Sequence, residues 1–210
     1  MSTKQKLFSH FQSKNMKLPN RVVMAPMTRN FSPNNVPGND VVSYYRRRAQ
    51  GGVGLIITEG TCVNHIASNC YPNVPYIHGE ESIIGWTNVV DAVHDVGGQI
   101  AAQLWHVGAV RKMGMPPNPE VNGYGPSGMN VPGKQNREIM TLQDIDLVIN
   151  AFVEAAITAK SIGFDAIELH GAHGYLLDQF FWSGTHQRND TYAGAIEKRG
   201  ECAAEIVRLI

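Results

Sequence analysis

The chain has 210 residues, of which 43% are hydrophobic and 17% charged, with 18 basic residues against 18 acidic ones. That balance suits a packed globular protein rather than a disordered one, and the length suffices for one sizeable core. A formal net charge of zero lacks the basic excess that nucleic-acid or anionic-membrane binding needs, so neither partner is expected. The densest basic run, Arg46-Arg47-Arg48, sits in a helical pattern and reads as a solvated helix face. Cys62, Cys70 and Cys202 are odd in number and form no C-x-x-C pair. This points to reduced thiols in a cytoplasmic protein, and away from a disulfide framework or a cysteine-built zinc site. The opening stretch MSTKQKLFSHFQSKN has no apolar h-region, and no run reaches membrane-spanning length.

In chain order, RVVMAPMTR (21–29) is a first apolar run that ends in polar residues. Residues 40–50 follow with Val41, Tyr44, Tyr45 and Arg48 at helical spacing. Gly51-Gly52 leads into a second run, VGLIITEGT (53–61). Residues 83–96 set Trp86, Val89, Val90, Val93 and Val96 on one helical face, and Gly97-Gly98 leads into QIAAQLWH (99–106). A Gly/Pro-rich stretch over 107–138 is long for a connection and reads as a functional loop. Thr141-x-x-Asp144 then opens a helix in the manner of a capping box, with Ile145, Val148, Ile149, Phe152, Ala156 and Ala159 as its buried stripe. Gly163 leads into FDAIELHG (164–171), and Glu197 to Ile210 reads as a further helix. Glycine just past a helix end fits the left-handed position that only glycine occupies cheaply.

Apolar runs alternating with helices predict an α/β fold with a parallel sheet and helical crossovers, organised as a single domain over 1–210. About four strand–helix units are visible, whereas a closed (β/α)₈ barrel needs eight and typically ~250 residues. An open doubly wound sheet would fit the count, but no G-x-G-x-x-G turn follows the first run, so a dinucleotide-binding reading lacks its main feature.

Polar residues cluster where the apolar runs stop: Thr28 and Arg29, Glu59 and Thr61, Gln103 and His106, His170 and His173. The carboxyl ends of parallel strands are where such enzymes keep their sites. His170 ends a predicted strand, and His173 and Tyr175 lie in the turn after it. This disfavours a helical two-histidine zinc pair, and no H-E-x-x-H spacing is present, so no metal site is expected. On the residues alone, Thr28 also reads as a turn cap, Gln103 as a satisfied buried amide, and His106 as structural. His65, His78, His94 and His186 read as surface or loop residues.

VVMAPMTR (22–29), IITEGT (56–61), QLWHVG (103–108), IELHGAHGYLLDQFF (167–181) and RNDTYAGAIEKR (188–199) together resemble the Old Yellow Enzyme family of FMN-dependent ene-reductases. The resemblance implies a (β/α)₈ TIM-barrel type fold, with only about the first four β/α units in this chain, and FMN across the carboxyl ends of the strands. It implies that Pro26, Met27, Thr28, Gly60, Gln103 and His170 bind the cofactor, the Thr28 hydroxyl and the Gln103 amide reaching its polar edges. His170 and His173 match paired donors to the oxygen of an α,β-unsaturated carbonyl or similar electron-poor alkene. Tyr175 matches the proton donor to its α-carbon, and a phenol is protonated at neutral pH, as an acid must be. The resemblance further implies that Trp105 lines the pocket and that NADH or NADPH is the reductant. Arg188, Asp190, Tyr192, Glu197 and Arg199 resemble a structural network, although YAG and EKR depart from the family's usual YGG and ENR. In the family, later strands supply an arginine at the flavin and the loops that hold its phosphate. The chain is therefore expected to be a fragment of a longer protein. The alternative is a catalytically inactive half-barrel or assembly module that associates with its missing half, or with a second copy, to bind FMN.

Overall fold

The computed structural model describes residues 3–210; of the opening stretch discussed above, Met1 and Ser2 lie outside the described residues. A short helix, α1 (Thr3–Leu7), precedes an antiparallel pair, β1 (Phe11–Gln12) and β2 (Lys17–Leu18). Then come β3 (Val23–Met24), α2 (Asn39–Gln50), β4 (Leu55–Cys62), α3 (Glu80–His94) and β5 (Ile100–Trp105). The remainder comprises β6 (Tyr124–Gly125), β7 (Glu138–Ile139), α4 (Leu142–Ile162), β8 (Ala166–Leu169), α5 (Leu176–Phe181), α6 (Ile196–Arg199) and α7 (Glu201–Leu209). Strands β3, β4, β5 and β8 form one four-stranded sheet in that order, and β3 pairs with β4 in parallel through Val23↔Leu55 and Met24↔Ile56. Helical crossovers between successive strands make this the α/β architecture read from the alternation of apolar runs and helices.

Burial explains why these runs are strands. Seven of the eight residues of β4 are buried, and all six of β5, as expected of parallel strands covered on both faces. The first run was expected to extend over 21–29, yet β3 holds only two residues. Pro26 has no N–H to give to a ladder, so pairing stops before it. The chain leaves α2, α3 and α4 through Gly52, Gly97 and Gly163 with φ of 88°, 74° and 103°, conformations cheap only for glycine.

Contacts divide the chain into two compact units, residues 1–61, 73–103 and 158–168 in the first and 62–72, 104–157 and 169–210 in the second. Within the first, Val41, Tyr45 and Ala49 form the buried stripe of α2. Tyr44 and Arg48 are only half-buried, the Arg48 guanidinium lying 3.5 Å from the Tyr44 ring centre. Trp86 of α3 is fully buried and meets Phe164 edge-on. Leu18 of β2 packs with Leu55, Ala101 and Ala166, at the amino-terminal ends of β4, β5 and β8. The hairpin thus covers that end of the strands, a feature the apolar patterning did not announce.

In the second unit, the stretch 107–138 is not structureless. Strands β6 and β7 pair in parallel, Tyr124↔Glu138 and Gly125↔Ile139. Arg111 is fully buried, and its guanidinium donates to the backbone carbonyls of Asn69, Met115, Pro116, Asn118 and Val121. Arg188 donates to both carboxylate oxygens of Asp190 and to the carbonyls of Pro126 and Met140, while Arg199 donates to the carbonyls of Phe181 and Gly194. Gly200 separates α6 from α7, where one tail helix was expected.

Candidate active site

In the first unit, Pro26, Met27 and Thr28 follow β3 outside any helix or strand, and Met27 is half exposed. The next residue fixes this segment. The Arg29 backbone N–H donates to Glu59 Oε2 at 3.3 Å and its guanidinium donates to Glu59 Oε1. The guanidinium also lies 3.8 Å from the Tyr44 ring centre. Glu59 is fully buried, and its own N–H donates to the Tyr45 hydroxyl at 2.8 Å. Burial alone would lower the Arg29 pKa, but the bond to Glu59 and its charge outweigh that and hold it above the ordinary value. A carboxylate buried without this partner would carry a large desolvation cost. The pair therefore clamps the Pro26–Met27–Thr28 segment beside Glu59 and the buried Gly60 that follows it.

Gln103 is 6% exposed. Its backbone N–H donates to Thr58 Oγ1 at 3.0 Å and its carbonyl accepts from Thr61 Oγ1 at 2.9 Å. Its side-chain Nε2 donates to Glu168 Oε1 at 2.7 Å. That bond uses one amide N–H and sets which way the amide faces. The carbonyl oxygen and the second N–H are the complement of an imide edge with alternating acceptors and donor. Glu168 lies in IELHGAHGYLLDQFF (167–181) with no role evident from sequence; only the strand pairing reveals that it orients Gln103.

In the second unit, Trp105, at the end of β5, is 2% exposed. Its ring stacks on that of His170 (centroids 5.7 Å, 20° between planes) and meets Tyr175 edge-on at 4.8 Å. His170 lies 5.3 Å from His173 and 5.1 Å from Tyr175, centre to centre. Tyr71 stacks on Trp105 at 5.7 Å, and its hydroxyl is 3.0 Å from that of Tyr175. The indole Nε1 of Trp105 is buried with no hydrogen-bond partner among the described residues, a state that buried donors rarely keep without an incoming acceptor.

The turn that carries these groups is held from behind. His173 and Gly174 both adopt left-handed backbone, φ 61° and 75°, and for a histidine that conformation needs support from its surroundings. Asp178 Oδ2 accepts from the Gly174 N–H at 2.7 Å, and Gln179 Nε2 donates to the Gly174 carbonyl at 2.6 Å. Gln179 Oε1 in turn accepts from the Ala109 N–H at 2.9 Å. Ala172 N–H approaches His170 Nδ1 at 3.5 Å, which favours the tautomer with the proton on Nε2.

His106 is buried, accepting from the Gly108 N–H through Nδ1 at 3.0 Å and bonding His65 Nδ1 through Nε2 at 2.9 Å. It supports the loop rather than joining the aromatic cluster. His186, read as a surface or loop residue, lies in a loop but is only 6% exposed, its ring meeting Phe180 edge-on. The three cysteines are free and buried. Among the described residues no three metal-binding side chains come together, and no helix is long and apolar enough to cross a membrane.

A parallel α/β sheet with helical crossovers places the chain in the class of the (β/α)₈ barrel proteins. The chain belongs to the NADH:flavin oxidoreductase / NADH oxidase family, whose model matches residues 6–210; this is the Old Yellow Enzyme family named from its motifs. It is 36% identical over 218 residues to putative 12-oxophytodienoate reductase 4 of Oryza sativa subsp. japonica, covering 97% of this chain and 54% of the relative. It is 40% identical over 202 residues to putative 12-oxophytodienoate reductase-like protein 1 of Arabidopsis thaliana, covering 94% and 61%. Among solved structures, morphinone reductase in complex with tetrahydroNAD superposes with a TM-score of 0.88 at 35% identity, covering 97% of this chain and 59% of that one. Old Yellow Enzyme from a Pichia species gives 0.86 at 31%, covering 97% and 55%. The chain thus spans little more than half the length of the relatives it matches.

Proposed function

We propose that the chain is the N-terminal part of a single FMN-binding barrel. Its activity would pass hydride from NADH or NADPH to the activated C=C of an α,β-unsaturated carbonyl or similar electron-poor compound in the cytoplasm. The observation that carries this reading is the grouping of Trp105, His170, His173 and Tyr175 around one turn. Pro26, Met27, Thr28, Gly60, Gln103 and His170 would hold FMN, which when bound supplies the hydride carrier between the two substrates. The Gln103 amide, oriented by Glu168, suits the imide edge of such a ring. The buried Trp105 N–H without an acceptor suits a pocket that receives one. His170 and His173 would donate to the activating oxygen as negative charge builds there, an effect of about 2.7–4 kcal/mol per donor in oxyanion sites. Tyr175 would give its proton to the α-carbon.

Coverage of only 54–61% of the relatives favours one competing reading, a half-barrel that needs its complement to hold FMN. Titrating the purified chain with FMN separates the two. Under the catalytic reading the flavin fluorescence and absorption change saturably, and Tyr175→Phe slows alkene reduction at least tenfold while flavin reduction by the nicotinamide is spared. Absence of FMN binding would sink catalysis by this chain. Equal loss of both half-reactions would remove Tyr175 as the acid.

A further inference from the structure

Tyr71 lies outside every motif considered so far, in the segment NCYPN (69–73). Its placement is nonetheless specific. Its ring stacks on Trp105 with 16° between planes, and Trp105 in turn meets the Tyr175 ring at 85°. The Tyr71 backbone N–H donates to Asn69 Oδ1 at 2.9 Å, and the Asn69 carbonyl is gripped by the buried Arg111. Three residues before Tyr71, the Ser68 carbonyl accepts from the Val107 N–H at 3.0 Å. Main chain and ring are both fixed, so the 3.0 Å approach of the two hydroxyls is a product of the fold rather than a chance contact.

While both phenols are protonated, either hydroxyl can donate in this bond. Burial first, and then the bond to Tyr175, hold the Tyr71 hydroxyl above the ordinary phenol value. Once Tyr175 has given up its proton its oxygen can only accept, so Tyr71 must donate; with Tyr71 already donating beforehand, the Tyr175 oxygen accepts. The Tyr175 proton is then free to point elsewhere. We propose that Tyr71 is a positioning residue for the acid, directing the Tyr175 proton to the substrate carbon and stabilising the phenolate left behind. This rests on the reading of Tyr175 as proton donor. In the step, the Tyr175 O–H bond breaks and the electron pair on the substrate α-carbon forms the new C–H bond. The pair left on the Tyr175 oxygen accepts a strengthened bond from Tyr71 until water returns a proton.

The test uses the 210-residue chain with isotope-labelled tyrosine rings followed by NMR through alkaline pH, the Tyr175 resonance being assigned by its loss in Tyr175→Phe. Tyr71→Phe keeps the stacking on Trp105 and removes only the hydroxyl, whereas Tyr71→Leu removes both. Loss of the Tyr71 donor should raise the pH at which Tyr175 ionises by about one unit, in both variants. With FMN and an α,β-unsaturated ketone, Tyr71→Phe should also slow alkene reduction about tenfold with flavin reduction unchanged. An unchanged Tyr175 titration in Tyr71→Phe, or a change confined to Tyr71→Leu, overturns the proposal and leaves a packing role. If the titration shifts but Tyr175→Phe reduces the alkene normally, the acid reading of Tyr175 is what fails, and the catalytic use of Tyr71 falls with it.

Discussion

The His65–His106 pair links a single proton to the stability of the loop above it. His106 accepts through Nδ1 from Gly108, so its proton sits on Nε2 and is donated to His65 Nδ1. Burial pushes His106 well below the ordinary histidine value, and the nearby His65 adds to this. Burial also lowers His65, against a smaller opposing pull from Asp144. Both are therefore neutral in the fold and take up protons more readily when unfolded. Their contribution is intact above the unfolded value of about 6.5 and is lost as pH falls through it. His78 and His186 are lowered by burial too and act with the same sign. Urea midpoints should fall between about pH 7 and pH 5, and fall less in His106→Gln; equal slopes in both proteins would refute the assignment. Residues of this kind are where sequence reading ran out. Tyr175 and the two histidines of the turn share one motif and could be picked out together. The partners of His106 and Tyr175 lie 41 and 104 positions away, and neither NCYPN nor His65 carries a periodic pattern that could betray the pairing. Glu168 is similar, its role depending on which strand lies next to β8.

At the scale of elements the patterning was more informative, because periodicity reports burial directly. Every residue of the expected α4 stripe, from Ile145 to Ala159, is buried. The start of that helix was legible too. Asp144 Oδ2 accepts from the Thr141 N–H at 2.8 Å, while Thr141 Oγ1 accepts from the Asp144 N–H at 3.1 Å, the reciprocal arrangement of a capping box. Thr141→Ala should cost about 1 kcal/mol in urea unfolding. The double variant with Asp144→Ala should cost less than the sum of the two singles, since each side chain loses the same partner. Strict additivity would mean that the two bonds act independently. What patterning could not supply were the short elements, β1, β2, β6 and β7, each of two residues. A two-residue strand has no period, and only its partner makes it a strand.

For the molecule as a whole, the sheet order β3-β4-β5-β8 leaves β3 and β8 each with a single neighbour in that sheet. All four residues of β8 are only half-buried. Unpaired backbone groups on an outer strand invite another chain. Light scattering should find species heavier than the 23.1 kDa chain that grow with concentration; a constant monomer mass throughout would dismiss this expectation. Arg111 has the opposite bearing on the loop it organises. The hydrogen bonds described for its guanidinium end on main-chain carbonyls of Asn69, Met115, Pro116, Asn118 and Val121, and a carbonyl is the same whichever side chain accompanies it. One arginine can therefore keep the loop's course while the side chains along 112–121 change. A loop built this way is free to change its side-chain chemistry over generations without having to reinvent its shape.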